Sequence, residues 1–137
     1  MKRRYLLDSG PAQDFLFQRR NVPKRVEDAR RRGLKVGIFM PVLGEIVAGL
    51  EGSQSREASW KVATPRLKRI DCWPFDTRAA HEFGRLYAEL RRIGRPMQQM
   101  DIQIASIALT LPNCTLVTYD SDFAAIPGLS IVDWSKP

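Results

Sequence analysis

Short apolar runs alternate with longer stretches of helical spacing along this chain, and that alternation leaves few folds open. Arg4 to Asp8, Val36-Gly37-Ile38-Phe39, Ile70 to Trp73, Thr115 to Thr118 and Leu129 to Val132 read as strands; the first is too short and too continuously apolar for an amphipathic helix. Pro11 suits the first turn of a short helix reaching about Gln18. Asn21-Val22-Pro23 restarts a basic helix that ends near Gly33, and Pro41 opens another that runs to about Leu50. A polar helix is predicted from about Arg56 to Ala63, stopped by Thr64-Pro65. Asp76 or Thr77 caps the next, whose Ala79, Ala80, Phe83, Leu86, Tyr87 and Leu90 share one face. Gln99 to Leu111 is apolar nearly all round and belongs at the centre of a fold. Asp120 to Pro127 reads as a loop or helical turn. Such alternation predicts an α/β protein: helices on both faces of a mostly parallel sheet of four or five strands, in one domain spanning residues 1–137.

Charge narrows the function classes. The formal net charge is +7, and much of it is local: Arg19, Arg20, Lys24, Arg25, Arg30, Arg31, Arg32 and Lys35 crowd one segment. A basic stripe of this kind attracts phosphate backbones, although a charge run alone is equally well a solvated helix face. No stretch approaches the roughly 20 apolar residues of a membrane span. The N-terminal run meets Asp8 too early for a signal peptide, so a cytoplasmic location is expected. The two cysteines, Cys72 and Cys114, lack metal-site spacing and read as reduced, buried thiols. His81 is the only histidine, which excludes multi-histidine metal sites and disfavours a Ser-His-Asp triad. It reads as a partly exposed helix residue.

Acids stand where an α/β enzyme would gather them. In parallel sheets ligands collect beyond the carboxyl ends of strands, and Asp8 and Asp120 both follow apolar runs there. Glu45 sits one turn into the helix opened by Pro41, along a largely nonpolar face; Asp101 opens the central helix, on the side of Ile104, Ala105 and Ala108. Either acid alone has a structural reading, as a surface glutamate or as a helix-dipole partner. Asp8 alone serves equally as a helix cap. Together, carboxylates from such distant positions repel unless a cation lies between them, and magnesium or manganese prefers oxygen donors. Asp8, Asp101 and Asp120 are the metal-ligand candidates, with Glu45 completing a catalytic set and Ser9, Thr118 and Asp122 supporting it. Of Asp120 and Asp122, one is expected to bind and one to cap the following turn; Asp120, nearer the strand end, is preferred for the site. Arg19, Arg20, Lys24 and Arg25 are the candidates for holding a nucleic-acid strand.

Leu6-Leu7-Asp8-Ser9, Gly44 to Gly49, Asp101 to Ala105 and Leu116 to Phe123, with Ile126-Pro127-Gly128-Leu129 and Asp133-Trp134, together resemble the PIN domain, and within it the VapC toxins of bacterial toxin–antitoxin pairs. The resemblance implies a PIN-like three-layer α/β/α fold and a metal-dependent ribonuclease using magnesium or manganese. It also implies a homodimer silenced by a cognate antitoxin. The family's acids fall on Asp8, Glu45, Asp101 and Asp120, with Asp122 as an addition. One departure is visible: the family often has Asp-Thr-Asn at the first motif, where this chain has Asp8-Ser9-Gly10. A DNA-cleaving nuclease and a non-catalytic nucleic-acid-binding or regulatory protein of the same fold remain open. A phosphoacceptor receiver domain would need a lysine at a late strand end, and none stands between Thr118 and Asp122.

Overall fold

A computed structural model describes residues 2–137. The elements follow in the order β1 (Arg4–Leu7), α1 (Ser9–Leu16), α2 (Val22–Arg31), β2 (Lys35–Phe39), α3 (Met40–Glu51), α4 (Arg56–Leu67), β3 (Asp71–Trp73), α5 (Thr77–Arg92), α6 (Gln99–Thr110) and β4 (Cys114–Val117). A 3₁₀ turn (Ser121–Ala125) and β5 (Ser130–Val132) complete the chain. The strands form one five-stranded sheet, ordered β3-β2-β1-β4-β5, with every pairing parallel. The chain winds outward from β1 through β2 to β3, then returns through α5 and α6 to lay β4 on the other side of β1. Right-handed crossovers put the helices of the outward and return paths on opposite faces, and the predicted three-layer α/β/α architecture results.

The core is what the strand patterns require. Leu6, Leu7, Ile38, Phe39, Leu116 and Val117 are fully buried from the sheet. Ile102, Ile104, Ala105, Ser106, Ile107 and Ala108 bury nearly the whole girth of α6. Ser106, the polar member, satisfies its hydroxyl by donating to the Ile102 carbonyl at 2.6 Å. Asp76 caps α5 by accepting from the Ala79 N–H at 2.9 Å, and Tyr5 stacks on Trp134 at 4.7 Å, so the chain's end packs on its first strand. Gly37 in β2 is demanded by its neighbours: a Cβ there would lie 2.7 Å from the Trp73 ring and 2.8 Å from the Asp71 carbonyl oxygen.

Two readings of the sequence need correction. The fourth helix does not stop at Thr64-Pro65 but continues through Pro65 to Leu67. Pro65 leaves the Lys61 carbonyl without its helical donor, and on either side of it Thr64 donates to the Trp60 carbonyl and Arg66 to the Val62 carbonyl, both at 2.7 Å. Glu51, exposed at the end of α3, accepts from Trp60 Nε1 at 2.7 Å and pairs with Arg56 at 2.7 Å, tying α3 to α4. Cys72 and Cys114 are free thiols but only half-buried, because both lie in strands at partly covered positions. His81 is exposed on α5, as expected.

Candidate active site

The carboxyl ends of β1 and β4 lie side by side, and the sheet holds their residues in register. Asp8 donates its N–H to the Val117 carbonyl at 2.9 Å, and Thr118 donates its own to the Val132 carbonyl at 3.0 Å. These bonds lock the backbone of two polar residues just past the apolar strands. Asp8 is both the cap of α1 and part of a polar cluster. Its Oδ1 accepts from the Ser9 N–H at 2.9 Å and its Oδ2 from the Thr118 hydroxyl at 2.8 Å. Thr118 in turn accepts from the Asp120 N–H at 3.1 Å. One buried hydroxyl thus fixes both strand-end acids.

Asp120, rather than Asp122, caps the 3₁₀ turn: its Oδ1 accepts from the Asp122 N–H at 2.9 Å. This corrects the division of labour expected between the two. A cap uses one oxygen, so Asp120 keeps the other, and Asp122 keeps both. Asp101 is half-buried in the first turn of α6, while Glu45 is exposed on α3 rather than set against an apolar surface, because its neighbours Gly44, Ala48 and Gly49 are themselves exposed.

These acids share one electrostatic field. Burial raises the Asp101 carboxyl above its ordinary range, and the negative charges of Asp8, Asp120, Asp122 and Glu45 raise it further, in that order. Among the described residues no lysine or arginine forms an ion pair with any of the five. The acids do not collapse onto one point: among the described residues no three acid, cysteine or histidine side chains stand close enough to grip a single ion together. Mutual repulsion accounts for that spread. All the donors are oxygens, the set that hard divalent cations select.

The chain matches the family model of the PIN domain over residues 5–129. It belongs to the PIN domain family. This PIN domain is 32% identical to the tRNA(fMet)-specific endonuclease VapC of Shigella flexneri, across 88% of this chain and 92% of that protein. In structure it is similar to the DNA-bound VapBC of Salmonella typhimurium, at 27% identity and a TM-score of 0.85, over 98% of this chain and 99% of that one. It is equally similar to VapBC2 of Rickettsia felis bound to a promoter DNA fragment, with 25% identity and a TM-score of 0.85, over 96% and 98% of the two chains. No helix among the described residues is long and apolar enough to cross a membrane.

The basic candidates divide. Arg19 of this PIN domain lines a cavity of about 350 Å³ with Glu45, Gln13 and Phe17, and Arg20 pairs with Asp14. Lys24 is exposed on α2, and Arg25 donates to the Lys136 carbonyl at 3.4 Å, which turns it toward the chain's end. Sequence reasoning missed Asp14, Tyr119 and Arg95. Asp14 is buried in α1, where the Tyr119 hydroxyl donates to it at 2.6 Å. Burial and that bond push the Tyr119 hydroxyl up to about 12, so it stays a donor at any ordinary pH. Arg95 lines a cavity of about 410 Å³ that also contains Asp122. Asp14 and Tyr119 are 105 positions apart, so no local pattern could pair them; the one available signal was an acid inside the apolar stripe of α1.

Proposed function

We propose that this PIN domain is a divalent-metal-dependent endoribonuclease and the toxin of a toxin–antitoxin pair, working as a homodimer under control of a cognate antitoxin. The observation that carries the reading is four carboxylates acting electrostatically on a fifth, Asp101, with no lysine or arginine ion-paired to any of the five among the described residues. Relatives named as VapC nucleases and structures titled VapBC support it. Asp8, Asp101 and Asp120 would hold magnesium or manganese, partly through waters, which magnesium sheds reluctantly. When bound, such an ion supplies an activated water and offsets charge on the leaving oxygen. Glu45 and Asp122 complete the acidic rim. Thr118 holds Asp8 in one orientation, and the Ser9 hydroxyl is placed to donate to a phosphate oxygen. Arg19, Arg20, Lys24 and Arg25 supply the positive charge that keeps the rest of the RNA strand on this face.

The test is cleavage of single-stranded RNA and DNA with magnesium, with manganese and with EDTA. RNA cleavage only in the presence of metal is expected; equal cleavage in EDTA, or cleavage of DNA alone, would overturn the reading. Magnesium at ten times its dissociation constant is expected to stabilise the fold by about 1.4 kcal/mol, from mass action alone. A melting temperature unmoved by millimolar magnesium would argue against the site. Thr118→Val removes the donor to Asp8 while keeping the shape. It is expected to lower kcat by about 10- to 100-fold, the usual consequence of freeing a ligand's hydrogen-bonded partner. Unchanged kcat in this variant would show that Asp8 needs no such support. Growth arrest on expression, relieved by co-expressing the product of the adjacent reading frame, is the expected sign of an antitoxin.

A further inference from the structure

Resting on the nuclease reading, we propose that Arg20, braced by Asp14 and Tyr119, is a positioning residue that grips a backbone phosphate of the RNA strand beside the acidic pocket. Asp14 is an acid close to that pocket, yet it is committed elsewhere. Its side chain is only 9% exposed, and it receives the Tyr119 hydroxyl at 2.6 Å, Arg19 Nε at 3.1 Å and Arg20 Nη1 at 3.4 Å. Its charge is also absent from those that act on Asp101. Asp14 is therefore the internal counter-charge of a basic device, not a further member of the acidic set.

The brace leaves Arg20 with spare capacity. The Arg20 side chain is 56% exposed, and its guanidinium carbon lies 4.8 Å from the centre of the Tyr119 ring. A guanidinium carries five N–H donors in a rigid fork, and Asp14 occupies only one nitrogen. The backbone holds it there at a cost, since Gln18 and Arg20 both adopt left-handed φ values, 56° and 57°. That turn folds Arg19 and Arg20 back over the end of α1 instead of letting them trail into solvent.

The location fits a neighbouring phosphate. Arg20, Arg19, Asp14, Gln13, Tyr119 and Gly10 line a cavity of about 490 Å³. Two of its walls continue directly from the acidic pocket: Gly10 follows Asp8-Ser9, and Tyr119 lies between Thr118 and Asp120. A Cβ on Gly10 would stand 3.2 Å from the Tyr119 ring, so the missing side chain is what lets the ring lie flat against α1 and carry Arg20. A single strand with one phosphodiester at the acids must place an adjacent one nearby, and a half-exposed guanidinium over the Tyr119 ring, in a cavity walled by the residues next to those acids, is suited to receive it.

The experiment measures cleavage of a single-stranded RNA oligonucleotide in magnesium by the full chain, across a tenfold range of potassium chloride. Arg20→Ala is expected to raise KM about tenfold, more than it changes kcat. It should also flatten the dependence of log kcat/KM on log salt by about 0.7, the effect of one phosphate contact on a single strand. Arg20→Lys keeps the charge and is expected to restore the salt slope while leaving KM raised. Tyr119→Phe keeps the ring but frees Asp14, and should raise KM about threefold, the loss of a single hydrogen bond. A purely structural role would lower the melting temperature of Arg20→Ala and leave the salt slope alone; that result, or a KM equal to the parent's, overturns the inference. A parent chain that cuts no RNA overturns the nuclease reading and this inference with it.

Discussion

Asp101→Asn is expected to lower kcat for RNA cleavage by on the order of 10²- to 10³-fold, the worth of several kcal/mol of metal-assisted chemistry, while raising the melting temperature in EDTA. The two effects have one cause. Asp101 is half-buried, the charges of Asp8, Asp120, Asp122 and Glu45 act on it, and its carboxyl is held above the ordinary range. A position in the first turn of α6 favours an acid by about 0.3–1 kcal/mol through the helix dipole. Burial and repulsion act in the opposite direction and raise the carboxyl. A raised carboxyl means the folded chain holds that proton more tightly than the unfolded chain does. The fold is thus favoured while Asp101 is protonated and loses that advantage as pH rises through the folded pKa, above 3.8. The parent in EDTA should therefore lose ground to Asp101→Asn between acid and neutral pH, ending with the lower melting temperature. Millimolar magnesium should narrow the gap, since it favours only the chain that keeps the acid. Thermal melts of both chains at two pH values, beside cleavage rates, decide it. A variant that cuts RNA at the parent's rate, or melts below the parent at neutral pH in EDTA, would count against the shared repulsive pocket.

Gly37→Ala should destabilise the fold by about 2–3 kcal/mol, near the upper range for overpacking a core, and lower the melting temperature by roughly 10 °C. The added carbon would meet the Asp71 carbonyl oxygen at 2.8 Å and Trp73 ring carbons at 2.7 and 2.9 Å. A ring could turn aside, but the carbonyl belongs to the backbone of the paired strand, where Gly37 is the partner of Asp71. The strands β2 and β3 would have to part. Urea unfolding would show this as a lower midpoint with an unchanged slope. A midpoint within 0.5 kcal/mol of the parent, converted through that slope, would show that the edge strand yields freely.

Sheet and helices were legible because each carries its signal locally. The continuous run Tyr5-Leu6-Leu7 has no polar face to offer solvent, and β1 is accordingly central. Gln99 to Leu111 is apolar around its circumference, and α6 is accordingly buried. The acids were legible through strand ends and helix starts, which is where the topology brings them within one another's field. What escaped was non-local or local in a second sense. Pro65 looks like a stop because its missing N–H breaks a bond, yet the helix gives up that one bond and runs on to Leu67. Asp120 and Asp122 are indistinguishable as caps until the turn's φ and ψ are known. Asp14 acquires its meaning only from a tyrosine far along the chain. Arg25 read as part of a basic stripe, but the chain's end lies across it.

The parallel seam between β1 and β4 has a consequence for the order of events at the ribosome. β1 and Asp8 are synthesised well before the strand that flanks them on one side and the hydroxyl that orients Asp8, which arrive with residues 114–118. A nascent chain shorter than this has one edge of its central strand bare and no Thr118 or Asp120 to complete the acidic rim. On the proposed nuclease reading the site would therefore stay incomplete until residues 114–120 have been made, and a restraining partner would need to act only after that point.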